Sequence, residues 1–126
     1  MSYLNIYIVE DEPLISASLK HIILNAGHKI IGIATSYTDA VHDLTKNKVD
    51  LVITDIILEG KETGIDLAIY INKYLKIPFI YQSSVADTET INQALKTGPL
   101  AYLAKPVSKM VLLNAIATIS NNNFIG

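Results

Sequence analysis

Two kinds of hydrophobic pattern alternate along the chain. Short apolar runs occupy residues 4–9, 29–33, 51–54, 79–82 and 100–104, and they are rich in Ile, Val, Tyr and Leu. Several are almost continuously apolar rather than strictly alternating, as expected of strands covered on both faces. Between them the spacing is helical. Ile15, Leu19, Ile22, Ile23 and Ala26 form one stripe, opened by Pro13 and ended at Gly27. Ser36 is placed to cap a second helix with the stripe Tyr37, Ala40, Val41 and Leu44. Leu67, Ile71, Tyr74 and Leu75 make a third, stopped before Pro78. Asp87 caps a short fourth helix ending near Gly98-Pro99, and a fifth begins around Pro106-Val107 and runs to about Ser120.

This order predicts an α/β fold, a (βα)5 doubly wound five-stranded parallel sheet with helices on both faces, because crossovers between parallel strands are right-handed. Residues 1–120 are expected to form one domain, and residues 121–126, opening with Asn121-Asn122-Asn123, a C-terminal tail or the start of a linker. The chain of 126 residues is half apolar, enough for a substantial core. Ten basic against twelve acidic residues leave a net charge of −2, which argues against a nucleic-acid surface. There is no cysteine, so disulfides, thiolate metal sites and Cys nucleophiles are excluded, and a cytoplasmic location is expected. No apolar run approaches the roughly 18 residues of a membrane span.

Ligands of an open parallel sheet gather beyond the C-terminal ends of its strands. Glu10, Asp11 and Glu12 follow the first strand, Asp55 the third, Ser83 and Ser84 the fourth, and Lys105-Pro106 the fifth. Carboxylates held together repel unless a cation or proton intervenes. Hard oxygen donors without a His or Cys partner suit Mg²⁺. Such a site beside Lys105 invites a phosphoryl group, with Asp55 as its acceptor and the Ser83 hydroxyl as a hydrogen-bond donor. His21, His28 and His42 lack metal-ligand spacing and are expected to pack or face solvent.

Val9-Glu10-Asp11-Glu12, Ile53-Thr54-Asp55-Ile56-Ile57-Leu58, Ser83-Ser84 and Ala104-Lys105-Pro106 together resemble the signature of response-regulator receiver domains, over nearly the whole chain. The resemblance implies a flavodoxin-like receiver fold in which Asp55 is phosphorylated by a sensor histidine kinase or phosphotransfer protein. Glu10, Asp11, Asp55 and the Ile57 carbonyl would hold Mg²⁺. Ser83 and Tyr102 would act as switch residues, Lys105 would pair with the phosphoryl group, and Lys105-Pro106 would be cis. The surface of the fourth helix, fifth strand and fifth helix would then act on a downstream partner or output domain, or mediate a homodimer. Glu59 replaces the Pro found in many receivers, and Ser84 replaces the usual Ala.

Singly, each of these residues has a plainer reading as a turn, a helix-start charge or a solvated surface group. Their joint placement at strand ends is what favours a site. Ile57 and Val85, both apolar, flank the family's path for attacking water, so a long-lived phosphorylated form is expected. The fifth helix is apolar around most of its circumference, which suits either a deep core helix or a partner surface. The alternatives in other functional classes are a Mg²⁺-dependent aspartyl-phosphate phosphatase and a receiver-like binding module that works without phosphorylation. A phosphatase would carry a second Asp at position 57, where Ile57 stands, so an enzyme that turns over is not expected. A flavin site would be repelled by Glu10-Asp11-Glu12.

Overall fold

The computed structural model describes residues 3–125, with side-chain surroundings through Ile119. Five strands, β1 (Asn5–Val9), β2 (Lys29–Ala34), β3 (Leu51–Thr54), β4 (Phe79–Ser83) and β5 (Ala101–Ala104), form one sheet. Its order is β2-β1-β3-β4-β5 and every pairing is parallel. The helices are α1 (Pro13–Asn25), α2 (Tyr37–Leu44), α3 (Gly64–Tyr70), α4 (Thr88–Lys96) and α5 (Lys109–Ile125). None is long and apolar enough to cross a membrane among the described residues.

The near-continuous apolar strands are explained by helices on both faces. Along β1, Ile6 and Ile8 point toward α1 and α5, where Leu19, Ile23, Leu112, Ile116 and Ile119 bury against them. Tyr7 and Val9 point the other way, toward Ala40 and Leu44 of α2, Leu67 and Ala68 of α3 and Ala94 of α4. The helix starts follow local chemistry. Ser36 Oγ accepts the Asp39 N–H, and Asp87 accepts that of Thr90. Thr63 and Asp66 close a reciprocal capping box at α3.

Three expectations need correction. Ser108, whose Oγ accepts the Val111 N–H at 3.2 Å, caps α5, so that helix starts at Lys109 rather than around Pro106-Val107. Its backbone stays helical to Ile125, past the expected end at Ser120 and through the segment read as a tail; Gly126 lies outside the described residues. The third helix does not continue regularly to Pro78. A π-helical turn spans Ile71–Leu75 and ends at Lys76, whose φ of 56° is left-handed. That wider turn rotates the stripe out of register, and Tyr74, expected in the core, is 60% exposed.

On α5, Leu112 and Ile116 are buried while Met110 is 72% exposed. The helix therefore has both a deep core face and an apolar strip on the surface.

Candidate functional site

The sheet ladder runs on past the strand ends and fixes the residues that follow. Glu10 N–H donates to Ala34 O, Asp55 N–H to Val9 O and Lys105 N–H to Ser83 O, at 2.8–3.0 Å. Thus the three charged positions stand side by side at one edge as a consequence of parallel register. The backbone of Asp55 is clamped further. Thr54 Oγ1 donates to its carbonyl at 2.8 Å, and the first residue of α3, Gly64, donates its N–H to Ile56 O at 2.7 Å. A Cβ at position 64 would lie 1.9 Å from the Asp55 carbonyl oxygen, so only glycine permits this approach.

Lys105 is the centre of the charge network. Its Nζ lies 2.7 Å from Asp55 Oδ2, 2.9 Å from Glu10 Oε1 and 3.7 Å from Glu12 Oε1. Asp55 Oδ1 accepts the Ile56 N–H at 2.7 Å. Burial works to raise the Glu10 carboxyl, but the hydrogen bonds from Lys105, from Glu12 N–H and from Gln82 outweigh it and hold the group below the usual carboxylate range. Burial likewise opposes the Lys105 charge, and Asp55 and Glu10 overcome it and push the ammonium pKa up. Asp11 is different: burial and the Glu10 carboxylate, with Asp55 adding, push its carboxyl upward. Carboxylate oxygens from Glu10, Asp11, Glu12 and Asp55 all lie within 4.8 Å of one another. A hard cation relieves that crowding, and an all-oxygen donor set suits Mg²⁺ better than zinc.

A cleft of about 400 Å³ opens over Asp55, lined also by Asp11, Glu12, Ile57, Ser83, Ser84 and Val85. Ile57 is 58% exposed and presents only hydrocarbon there. The Ser83 side chain, itself buried, accepts the Val85 N–H at 3.0 Å. Tyr102 lies 5.9 Å from Tyr81, ring to ring, and its hydroxyl is enclosed without a hydrogen-bond partner among the described residues. The Lys105-Pro106 peptide is cis. Glu10, Asp11, Asp55, Ser83 and Lys105 therefore stand together at one edge of the sheet, with Tyr102 set back within β5 opposite Tyr81.

Two participants were missed. Gln82 is fully enclosed at the end of β4, and its Nε2 donates to Glu10 Oε1 at 2.6 Å. The signal was there, since an amide at the end of a buried apolar strand needs a partner. Glu12 stood in the acidic run but was not assigned to the cation set; its carboxylate lies within 4.8 Å of those of Glu10, Asp11 and Asp55. Glu59 has a role of its own: it accepts the Thr35 hydroxyl at 2.6 Å and bridges to Ser36, tying the loop after Asp55 to the end of β2.

Comparison with known proteins agrees with this geometry. The family described as the response regulator receiver domain matches residues 6–117. The transcriptional regulatory protein PdtaR of Mycobacterium tuberculosis is 32% identical over 88% of this chain and 54% of its own length. The chain spans about half the length of the curated relatives it matches first. Among solved structures, the signal receiver domain of a modulated diguanylate cyclase from Desulfovibrio desulfuricans superposes with a TM-score of 0.90 at 27% identity, covering 98% of both chains. A CheY-like receiver domain protein from Methanospirillum hungatei gives 0.88 at 26% identity, over 99% of this chain and all of the other. Sequence, topology and the order of the charged strand ends agree, and the chain belongs to the response-regulator receiver family of two-component signalling.

Proposed function

We propose that this receiver accepts a phosphoryl group on Asp55 and uses it as a switch rather than turning it over as an enzyme. The observation that carries the reading is the Lys105 ammonium, 2.7 Å from the Asp55 carboxylate at the floor of an acidic cleft. An Asp55 oxygen forms the new O–P bond as the phosphorus–nitrogen bond of a phosphohistidine donor breaks. Lys105 already stands where phosphoryl oxygens would arrive and neutralises their charge. Glu10, Asp11, Asp55 and the Ile57 carbonyl would hold Mg²⁺, which supplies further charge neutralisation when bound. Ile57 offers no acid or base to the cleft, which speaks against a phosphatase.

For the output, Ser83 and Tyr102 are the moving parts. Among the described residues, Ser83 Oγ is engaged only by the Val85 N–H, and the enclosed Tyr102 hydroxyl has no hydrogen-bond partner. Their movement alters the surface of α4, β5 and α5, where a downstream protein or an output domain reads it. The donor is a histidine kinase or phosphotransfer protein, approaching by a cleft of about 470 Å³ between α1 and the segment after β5. Leu14, 86% exposed, and Val107 give that cleft apolar walls, while Lys105 and Gln82 reach into it.

The test is intact mass after incubation with a small-molecule phosphodonor, with and without Mg²⁺, on wild type and Asp55→Ala. A Mg²⁺-dependent phosphoryl adduct absent from the variant is expected. An adduct that persists in Asp55→Ala, or none on folded wild type with its cognate kinase present, overturns the assignment. With the adduct in hand, Ile57→Asn is expected to shorten its lifetime by about tenfold, because an amide can orient the attacking water. An unchanged decay curve sinks that part of the reading.

A further inference from the structure

A third cleft, of about 540 Å³, shares no residue with the one over Asp55 or the one beside α1. It opens between α2 and α3, and its walls are aromatic. The Tyr70 ring meets Tyr37 edge-on, with centroids 6.3 Å apart and planes at 84°. On its other side Tyr74 lies 4.8 Å away at 45°. The exposure of Tyr74 comes from the π-helical turn, which carries it out of the core and to the mouth of this cleft. Sequence reading had assigned it to packing, so its position has no explanation from the core.

The polar lining has a definite character. Glu62 is half-buried and has no hydrogen-bond or ion-pair partner among the described residues. Asp66 uses Oδ2 for its cap with Thr63, which leaves Oδ1 uncommitted. Burial, then the neighbouring Tyr70, Glu62 and Asp66, push the Tyr37 hydroxyl pKa up, so the cleft disfavours further negative charge. A cation already tests the aromatic surface: Lys73 Nζ sits 5.2 Å from the Tyr74 ring centroid. Lys61 also lines the cleft. The two lysines balance the two carboxylates at long range, so attraction depends on direct contact.

We propose that this cleft binds an arginine side chain presented by a protein partner, stacked on Tyr70 and Tyr74 and paired with Glu62. Guanidinium fits better than ammonium because it is planar, weakly hydrated and able to stack on a ring while donating two hydrogen bonds in its plane. Ile69, 55% exposed beside the rings, offers hydrocarbon to the rest of the partner's segment. Lys73 is then the resident cation that the arginine displaces from Tyr74.

The full chain, isotope-labelled at its tyrosines, is titrated with N-acetyl-arginine amide and, in parallel, with the uncharged citrulline amide of the same shape, and ring signals are followed by NMR. Arginine is expected to shift Tyr37, Tyr70 and Tyr74 in a saturable way, leaving Tyr7, Tyr81 and Tyr102 in place. Citrulline is expected to leave all of them unmoved. Glu62→Gln and Tyr74→Leu, both replacing side chains outside the core, should each weaken the arginine affinity roughly threefold to tenfold. Lys73→Met should strengthen it by removing the competitor. Equal shifts with citrulline, shifts spread over all tyrosines, or an affinity indifferent to Glu62→Gln would each overturn the proposal.

Discussion

The sheet separates two cores built from different materials. Toward α1 and α5 the fully buried hydrophobic residues are all Leu and Ile: Leu4, Ile6, Ile8, Leu51, Ile53, Ile80 and Leu103 from the strand side, and Leu19, Ile23, Leu112, Ile116 and Ile119 from the helices. Toward α2, α3 and α4 the strands add the rings of Tyr7, Phe79 and Tyr81 to the aliphatic Val9, Ala34 and Val52, with Tyr102 packed against them. Aliphatic side chains contribute by area and shape alone. A buried tyrosine also brings a hydroxyl that must find a partner.

The three strand tyrosines of the second face solve that problem differently. Tyr7 donates to Asp43 Oδ2 at 2.5 Å, fastening β1 to α2; burial and that carboxylate push its pKa well upward. Tyr81 shares a 2.7 Å hydrogen bond with Thr97 at the end of α4, and burial, partly offset by that bond, lifts its pKa to about 12. The Tyr102 hydroxyl has no partner among the described residues. One face is therefore a frame held by area. The other is a set of specific fastenings with one left open beside Ser83, and the proposed switch belongs to it. The proposed phosphoryl-accepting edge straddles the two: Gln82 and Lys105 line the cleft beside α1, while Ser83 and Val85 line the one over Asp55.

Three substitutions can break or sharpen this contrast. Ile53→Ala, at a fully buried position of the aliphatic core, should lower unfolding free energy by about 3–4 kcal/mol in urea titrations with an unchanged slope. A loss below about 1 kcal/mol would mean that this core is not the frame. Tyr7→Phe should cost about 1 kcal/mol, because it removes one hydrogen bond to a carboxylate that stays partly solvated. Tyr102→Phe should leave stability unchanged or raise it by up to about 1 kcal/mol, since it deletes a hydroxyl that is buried and unpaired. A marked destabilisation by Tyr102→Phe would show that the hydroxyl has a partner after all and that the open fastening is not real. In that case Tyr7→Phe and Tyr102→Phe would behave alike.

Much of this organisation was legible before folding was considered. The continuous apolar runs identified two-sided burial, and β3 falls where the pattern put it, at Leu51–Thr54. The other strands differ at an end because terminal residues are set by which neighbour offers a carbonyl. Ser36 and Asp87 cap the helices they were expected to cap. Helix 3 was misjudged because a π turn has no signature in a 3.6-residue stripe, and Tyr74 was counted on the wrong side. Gln82 carried a signal, a polar amide ending an apolar run, but the sequence does not name its partner, which is here the buried Glu10 carboxylate.

Composition and periodicity thus determined the parallel sheet, the two-sided core and the edge at which Glu10, Asp11, Asp55, Ser83 and Lys105 stand. These are properties of local pattern and of parallel register, which brings every strand's C-terminal end to the same side. Tertiary structure alone decided how those charges are shared. The pairing of Lys105 with both Asp55 and Glu10 and the Gln82 amide behind Glu10 join residues far apart in the chain. It also decided that three tyrosines meet between α2 and α3. Contacts of this kind depend on where a whole helix is laid against the sheet, and no window of neighbouring residues encodes that.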